Sequence, residues 1–396
     1  MFSKKTIPYG FHAIDDSDIK NVIEVLNSNY LTEGPIVEKF EKKFSRIVGA
    51  KYSIVCSSGT AALHLVARSL DLKDGDLVLV PSISFVATAN APAYVGSKVI
   101  FCDVDEHTGL VTPNILLKYL KKYKDIKAFF YVHLNGILQD LTVIKKICDD
   151  NNVNLVEDSC HAIGGSYNSV KVGSCKHSIC TTFSFHPVKT ITMGEGGVIT
   201  TNSKNIAKKI KLLRSHGITK QKQDFTKDMS KLSNQGKWHY EMQDLGFNYR
   251  ANNLSIALGL SQLDKLSRFV KKRSEIAKIY DKAFVNLKNF FIPVPRDINF
   301  FHGYHLYPIL LKGEKVLEKK IELMSFLKKN NILTQVHYIP IPSHPYWKNN
   351  YEFSDTFHGA YKYFERVLSL PIYPKMSNLE LERVISAINS FFYHEN

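Results

Sequence analysis

Between residues 50 and 202, short apolar and β-branched runs alternate with longer stretches in which apolar residues recur every three or four positions. The runs at 52–56, 77–80, 99–104, 128–133, 153–157, 179–185 and 197–201 read as seven strands. Several are apolar at nearly every position, as strands covered on both faces must be. Strands alternating with helices predict an α/β sheet. Residues 58–70 carry Ala61, Leu65, Ala67 and Leu70 at helical spacing, which puts the turn 57–60 at a helix N-terminus. Beyond residue 250 the texture changes. Leu254, Leu258, Leu263, Leu266, Val270, Ala277 and Tyr280 predict one long amphipathic helix over 253–284. Strands at 305–311 and 334–338, with helices near 315–330, 357–368 and 377–392, then predict a small α+β domain. The Pro- and aromatic-rich stretch 339–347 reads as an irregular loop lying against another part of the molecule, and 287–303 and 342–356 carry no pattern that places them. The chain thus divides into a large domain with its N-terminal segment, 1–250, and a connecting helix with a small domain, 251–396.

Composition changes this picture little. A chain of 396 residues that is 44% hydrophobic can bury a large core. No window approaches the ~18 apolar residues of a membrane span, so no membrane partner is expected and a cytoplasmic location is. The six cysteines form no CxxC pair and no metal-finger spacing, so they read as free thiols and no metal is expected. The net charge of +15 raises nucleic acid as a partner. Its lysines are scattered through helix-like segments at 118–127, 204–222 and 265–278, which is the pattern of a solvated surface, so no nucleic-acid partner is expected. A basic surface does help to attract a diphosphate.

Three constellations carry candidate chemistry. Ser58, Gly59 and Thr60 sit at a strand-to-helix turn, where free N–H groups and the helix dipole suit a phosphate; small residues also occupy such turns for packing alone. Asp158 ends the strand 153–157, where α/β folds bind their ligands. A buried carboxylate there needs a cation, although an aspartate at that place can also cap a helix. His161 follows it and could equally be a packed histidine. In the run 181–197, Ser184 ends a strand and Lys189 follows five residues later on a turn fixed by Pro187 and flanked by Gly194, Gly196 and Gly197. A lysine becomes a nucleophile where its neutral form is favoured. The glycines fit neither a dinucleotide fingerprint nor a Walker loop.

Phosphate turn, strand-end aspartate and turn lysine, in that order, are the handles that pyridoxal 5′-phosphate requires. With the stretches 31–35, 58–63, 84–90, 157–162, 183–197, 214–217 and 246–250, the chain resembles the DegT-type sugar aminotransferases, from about Ile7 to the C-terminus. The resemblance implies an α/β fold of type I among pyridoxal-phosphate enzymes, like that of aspartate aminotransferase. Its large domain, 1–250, would bind the cofactor on a mainly parallel seven-stranded sheet. It implies Lys189 as the lysine that carries the cofactor aldehyde, Asp158 as partner of the pyridine nitrogen, Phe85 as the ring-stacking aromatic and His161 beside the phenolic edge. Ser58, Gly59, Thr60 and Ser184 would hold the phosphate. Asn248 would reach the neighbouring subunit's phosphate, which implies a homodimer with shared sites. Tyr9, Arg250, His337 and Tyr338 are candidate substrate contacts.

Members with a histidine in place of the lysine are dehydratases; Lys189 argues for transamination. The stretches 7–10, 84–90, 160–167, 171–175 and 335–340 are similar to members acting in pseudaminic acid biosynthesis. Those aminate C4 of UDP-2-acetamido-2,6-dideoxy-β-L-arabino-hexos-4-ulose with L-glutamate as donor and 2-oxoglutarate as product. The loop 132–139 departs from that pattern, and Met193 replaces a commoner threonine. Two other readings stay open: an aminotransferase for a different nucleotide keto sugar, and a dehydratase or non-catalytic member of the fold.

Overall fold

The computed structural model describes residues 5–226, 236, 238–351 and 355–393. Seven strands form its main sheet: β1 (Tyr52–Cys56), β2 (Leu77–Pro81), β3 (Lys98–Cys102), β4 (Ile126–Val132), β5 (Asn154–Asp158), β6 (Cys180–Ser184) and β7 (Gly197–Thr201). All seven coincide with the apolar runs. The order across the sheet is β1-β7-β6-β5-β4-β2-β3. Pairs β2/β3, β2/β4, β4/β5 and β5/β6 are parallel, and β7 runs antiparallel to both of its neighbours, β1 and β6. The fold is α/β with a mostly parallel sheet, as expected. Near-complete burial of Ile54, Val55, Val78, Leu79, Phe129, Phe130, Val156, Val198 and Ile199 explains why these strands lack an apolar/polar alternation.

Helices cover both faces. The helix α1 (Gly59–Ser69) follows β1 with Ser58 as its N-cap, the Ser58 hydroxyl accepting from the Ala61 N–H. The helix α2 (Ala87–Ala93) follows β2. The long helix α3 (Asn253–Ala283) starts where expected, capped by Asn252. Its buried face is set by Ile256, Leu260, Leu263, Leu266, Val270, Ile276 and Tyr280; Leu254 and Leu258, expected there, are only half-buried. α3 belongs to both hydrophobic clusters: Leu260, Leu263, Leu266 and Val270 pack with the main sheet, while Ile276, Ala277 and Tyr280 pack with the C-terminal elements. Ile7 from the N-terminal segment joins the second cluster.

That second cluster surrounds a three-stranded antiparallel sheet of β8 (Phe291–Pro293), β9 (Tyr307–Leu311) and β10 (Val367–Leu370). Two expectations fail here. Residues 334–338 form no strand: only Gln335 bridges, to Ser369, after which the chain turns towards the main sheet. The helix expected over 357–368 is His358–Arg366, because Val367 leaves it to begin β10. The stretch 339–347 is not wholly irregular, since Pro345–Asn350 is a short helix that buries Trp347 against Phe101.

Candidate active site

Five loops leave the carboxyl ends of β1, β2, β4, β5 and β6 and meet at one edge of the sheet, the place where open α/β sheets bind ligands. Together with segments from the second cluster they enclose a cavity of about 680 Å³. Tyr9, Ser58, Gly59, Thr60, Phe85, Asp158, His161, Ser184, Lys189, His337 and Tyr338 all line it. Residues far apart in the chain and singled out by the sequence are thus brought together.

The loop between β6 and β7 carries Lys189 and is tied to itself. The Phe185 N–H donates to the Gly196 carbonyl, the Met193 N–H to the Phe185 carbonyl, and the Lys189 N–H to the His186 carbonyl, each at 2.9 Å. Gly194 adopts a positive φ of 75°, and a Cβ on Gly197 would lie 2.2 Å from the Ser58 carbonyl oxygen, so neither position accommodates a side chain without strain or displacement. Met193 packs into the space that Gly196 and Gly259 leave without a side chain. Lys189 is half-buried, and desolvation lowers the pKa of its amine, while Cys160 and Asp158 oppose the shift. The neutral amine is therefore more populated than on an exposed lysine.

Asp158 is buried at the end of β5. Its Oδ1 accepts from the Cys160 N–H at 3.2 Å and its Oδ2 from the Thr88 hydroxyl at 2.7 Å. Among the described residues it makes no ion pair. Next along the strand, Glu157 points away into a buried pairing with His133 at 2.8 Å and Ser178 at 2.5 Å. Burial raises the Glu157 pKa, but His133 and the Ser178 hydroxyl outweigh it and leave the carboxyl lowered.

His161 is oriented from both sides. The Asn135 N–H can only donate, so His161 Nδ1, 3.1 Å away, accepts; the neutral ring then carries its proton on Nε2, 3.1 Å from the Tyr338 hydroxyl. Desolvation and the Lys189 charge push the His161 pKa well down, which keeps the ring neutral. Facing it, the His305 ring centroid lies 4.5 Å from that of His161. His337 Nδ1 lies 2.9 Å from the Ser369 hydroxyl, and desolvation, then Lys189, push its pKa down to about 3. The Phe85 ring is 57% exposed and open to the cavity, with its centroid 6.1 Å from that of Tyr338.

Two expected residues lie elsewhere. Asn248 is exposed, beyond the phosphate turn, in a segment whose Tyr249 carbonyl accepts from the Ser57 N–H at 2.8 Å. Arg250 lines a separate cavity and lies 3.6 Å from Glu33. Neither reaches the cavity of Lys189 within this chain. Sequence reasoning missed Thr88 and His305 as site residues. Thr88 meets its partner Asp158 only once the loops are assembled, and no local signal marks it. His305 opens the approach to β9 and nothing local marks it.

These residues fit pyridoxal phosphate. A Cβ on Gly59 would stand 2.7 Å from the Ser184 Cβ, so the absent side chain keeps open a cradle between Ser184 and the first N–H groups of α1. Those groups have no acceptor inside the helix and suit a phosphate. Asp158 offers a buried carboxylate short of a cation, and Lys189 a desolvated amine, in the same cavity.

Residues 12–389 match the model of the DegT/DnrJ/EryC1/StrS aminotransferase family. The UDP-4-amino-4,6-dideoxy-N-acetyl-beta-L-altrosamine transaminase of Campylobacter jejuni is 35% identical over 371 residues, 94% of this chain and 93% of its own. Spore coat polysaccharide biosynthesis protein SpsC of Bacillus subtilis is 34% identical over 384 residues, 96% of each chain. The structure of Helicobacter pylori PseC, an aminotransferase involved in the biosynthesis of pseudoaminic acid, superposes with a TM-score of 0.89 at 30% identity, covering 98% of this chain and 100% of that one. With a family match along nearly its whole length and the cofactor handles gathered in one cavity, the chain belongs to the DegT/DnrJ/EryC1/StrS aminotransferase family.

Proposed function

We propose that this pyridoxal-phosphate-dependent sugar aminotransferase moves an amino group from L-glutamate to C4 of a UDP-linked 4-keto-6-deoxy sugar. The sugar is UDP-2-acetamido-2,6-dideoxy-β-L-arabino-hexos-4-ulose, a step towards pseudaminic acid. The observation that carries the chemistry is Lys189, a desolvated amine beside Asp158 in a cavity whose floor carries a phosphate turn. The sugar rests on the named relatives in Campylobacter and Helicobacter.

Bound pyridoxal phosphate supplies an electron sink for the pair left when a carbon bearing the transferred nitrogen loses its proton. Lys189 Nζ removes the α-proton of glutamate and, with the keto sugar in place, delivers a proton to sugar C4. Asp158 would favour a positive charge on the pyridine nitrogen. Ser58, Gly59, Thr60 and Ser184 would hold the phosphate, and Phe85 would cover the ring. His161 would stand by the phenolic edge, and Tyr9, His337 and Tyr338 would face the sugar. Glutamate leaves as 2-oxoglutarate and the ketone as an amine, which balances the exchange.

The enzyme acts in this reading as a homodimer, with Asn248 and Arg250 serving the partner's site. Support comes from Tyr94, Trp238, Tyr240, Met242 and Leu245, large side chains more than half exposed in this chain, four of them on the segment leading to Asn248. The SpsC relative favours a second reading, a different nucleotide keto sugar used for a surface polysaccharide. Protein loaded with pyridoxal phosphate and mixed with glutamate should lose its visible absorbance as the pyridoxamine form accumulates. The UDP-linked 4-keto N-acetyl sugar should restore it; restoration only by a dTDP-linked or 3-keto sugar would move the assignment to the second reading.

A further inference from the structure

The hydroxyls of Ser84 and Thr88 are used in an unusual way. A serine or threonine at the start of a helix ordinarily caps it, and one inside a helix bonds back to a carbonyl four residues earlier. Neither happens in the turn from β2 into α2. Its N-cap is Val86, with no side-chain cap. Thr88, fully buried, directs its hydroxyl at Asp158 Oδ2, 2.7 Å away, and meets the Ser84 hydroxyl at 2.8 Å. Ser84 is itself 3% exposed and lines the cavity.

The two bonds have a forced direction. An ionised carboxylate only accepts, so Thr88 gives its single proton to Asp158 and must accept from Ser84. Ser84 then donates to Thr88 and presents only lone pairs to the cavity. Were Asp158 protonated, the order could reverse. The direction of the pair is thus coupled to the charge on Asp158. The Cys160 N–H on Oδ1 completes the arrangement, with the Cys160 thiol also beside the carboxylate, and Asp158 still has no cationic partner among the described residues.

We infer that Ser84 and Thr88 are positioning residues for the reaction, a polarised hydroxyl pair that holds the Asp158 carboxylate aimed at the pyridine nitrogen. The inference rests on the reading of Asp158 given above. It assigns the small polar residues of the turn after β2 to the cofactor's electronics rather than to packing.

Three variants test it: Thr88→Val, which removes the hydroxyl at nearly constant volume, Thr88→Ser, which restores it, and Ser84→Ala. The readouts are the dissociation constant of pyridoxal phosphate, the midpoint of the pH titration of its visible band when bound, and kcat against KM for the keto sugar. A hydrogen bond to a charged group is worth roughly tenfold or more in an equilibrium constant. Thr88→Val should therefore weaken cofactor binding by about tenfold and lower kcat at least as much, with KM unchanged. It should also move the titration midpoint upward, because a pyridine ring without its positive charge lets the nitrogen bound at Lys189 hold its proton more tightly. Thr88→Ser should return all three to near wild type, and Ser84→Ala should give smaller changes of the same sign. Thr88→Val with unchanged midpoint and cofactor affinity would overturn the inference. If Thr88→Val does not fold, Ser84→Ala decides: a shifted midpoint upholds the pair and an unshifted one overturns it. Wild-type protein that takes up no pyridoxal phosphate would sink the reading of the site itself, whereas normal uptake with indifferent variants sinks only the hydroxyl pair.

Discussion

The floor of the cavity and its roof are built on different principles. The floor is the carboxyl edge of the main sheet, where Ser58, Asp158, Ser184 and Lys189 are each fixed by backbone that the sheet itself orders. The roof is the approach to β9 and the segment 335–344, held by a few long-range bonds instead. Arg273 of α3, fully buried, donates at 2.9 Å to the carbonyls of His305 and Ile372 and at 3.2 Å to that of Tyr304, while its Nε and Nη2 and the His305 Nδ1 make no hydrogen bond among the described residues. The floor carries chemistry common to every substrate the family takes up. The roof carries His305 together with His337 and Tyr338, which in the proposed reading face the sugar.

The comparison can be broken by experiment. The largest effect should come from the floor: Lys189→Ala removes the proton-moving amine and should cost at least the roughly 10²–10⁴-fold typical of positioned proton transfer. Single-turnover loss of the visible band with glutamate measures it, and residual transfer near wild-type rate would remove Lys189 from its role. Next, Arg273→Leu strips two buried carbonyls and a part-buried third of their shared donor and should destabilise the protein by about 3 kcal/mol or more, read from chemical denaturation. If instead stability holds while KM for the sugar rises, the roof would prove an independently ordered element. Gly59→Ala forces a methyl against Ser184 and should cost about 1–3 kcal/mol in cofactor affinity, with little change in sugar KM once the enzyme is saturated.

The last effect concerns acid. His337 is buried and neutral, with a pKa near 3, below the value of about 6.5 in an unfolded chain. Between those values the unfolded state binds a proton that the folded state does not, so stability falls as pH drops from about 6.5 towards 3, by up to about 1.4 kcal/mol per pH unit. His161 and His305, also pushed down by burial, act in the same sense. Hydrogen exchange at pH 5 should therefore rise in 335–344 before it rises in 180–201. Simultaneous loosening of both would erase the distinction between floor and roof.

The same division separates what could be read from the chain alone. The seven main strands stood out because burial on both faces makes them continuous apolar runs, and Asp158 and Lys189 stood out because each follows such a run. The strand β8 did not, since Phe291, Ile292 and Pro293 make too short a run, and Val367 falls within the helical pattern read over 357–368. The extended pattern at 334–338 misled for the opposite reason: its alternation reflects Val336 packing on the core and His337 buried beside Ser369, without a neighbouring strand to pair with. Thr88 and His305 were invisible as site residues because their partners, Asp158 and His161, come from other loops and only the assembled sheet brings them within reach.

The strand β7 runs against its neighbours, and this bears on the order in which the molecule can assemble. Parallel pairs such as β4 with β5 require a crossover before a single ladder bond forms, and β1 can reach β7 only after most of the sheet's chain is in place. The pair β6 and β7, joined by one loop and in register from Ser184 opposite Gly197, needs neither. Contacts local in sequence close early because little loop entropy opposes them. The hairpin that bears Lys189 therefore closes with the smallest loss of loop entropy of any pair in the sheet, which favours its early pairing over that of the parallel strands.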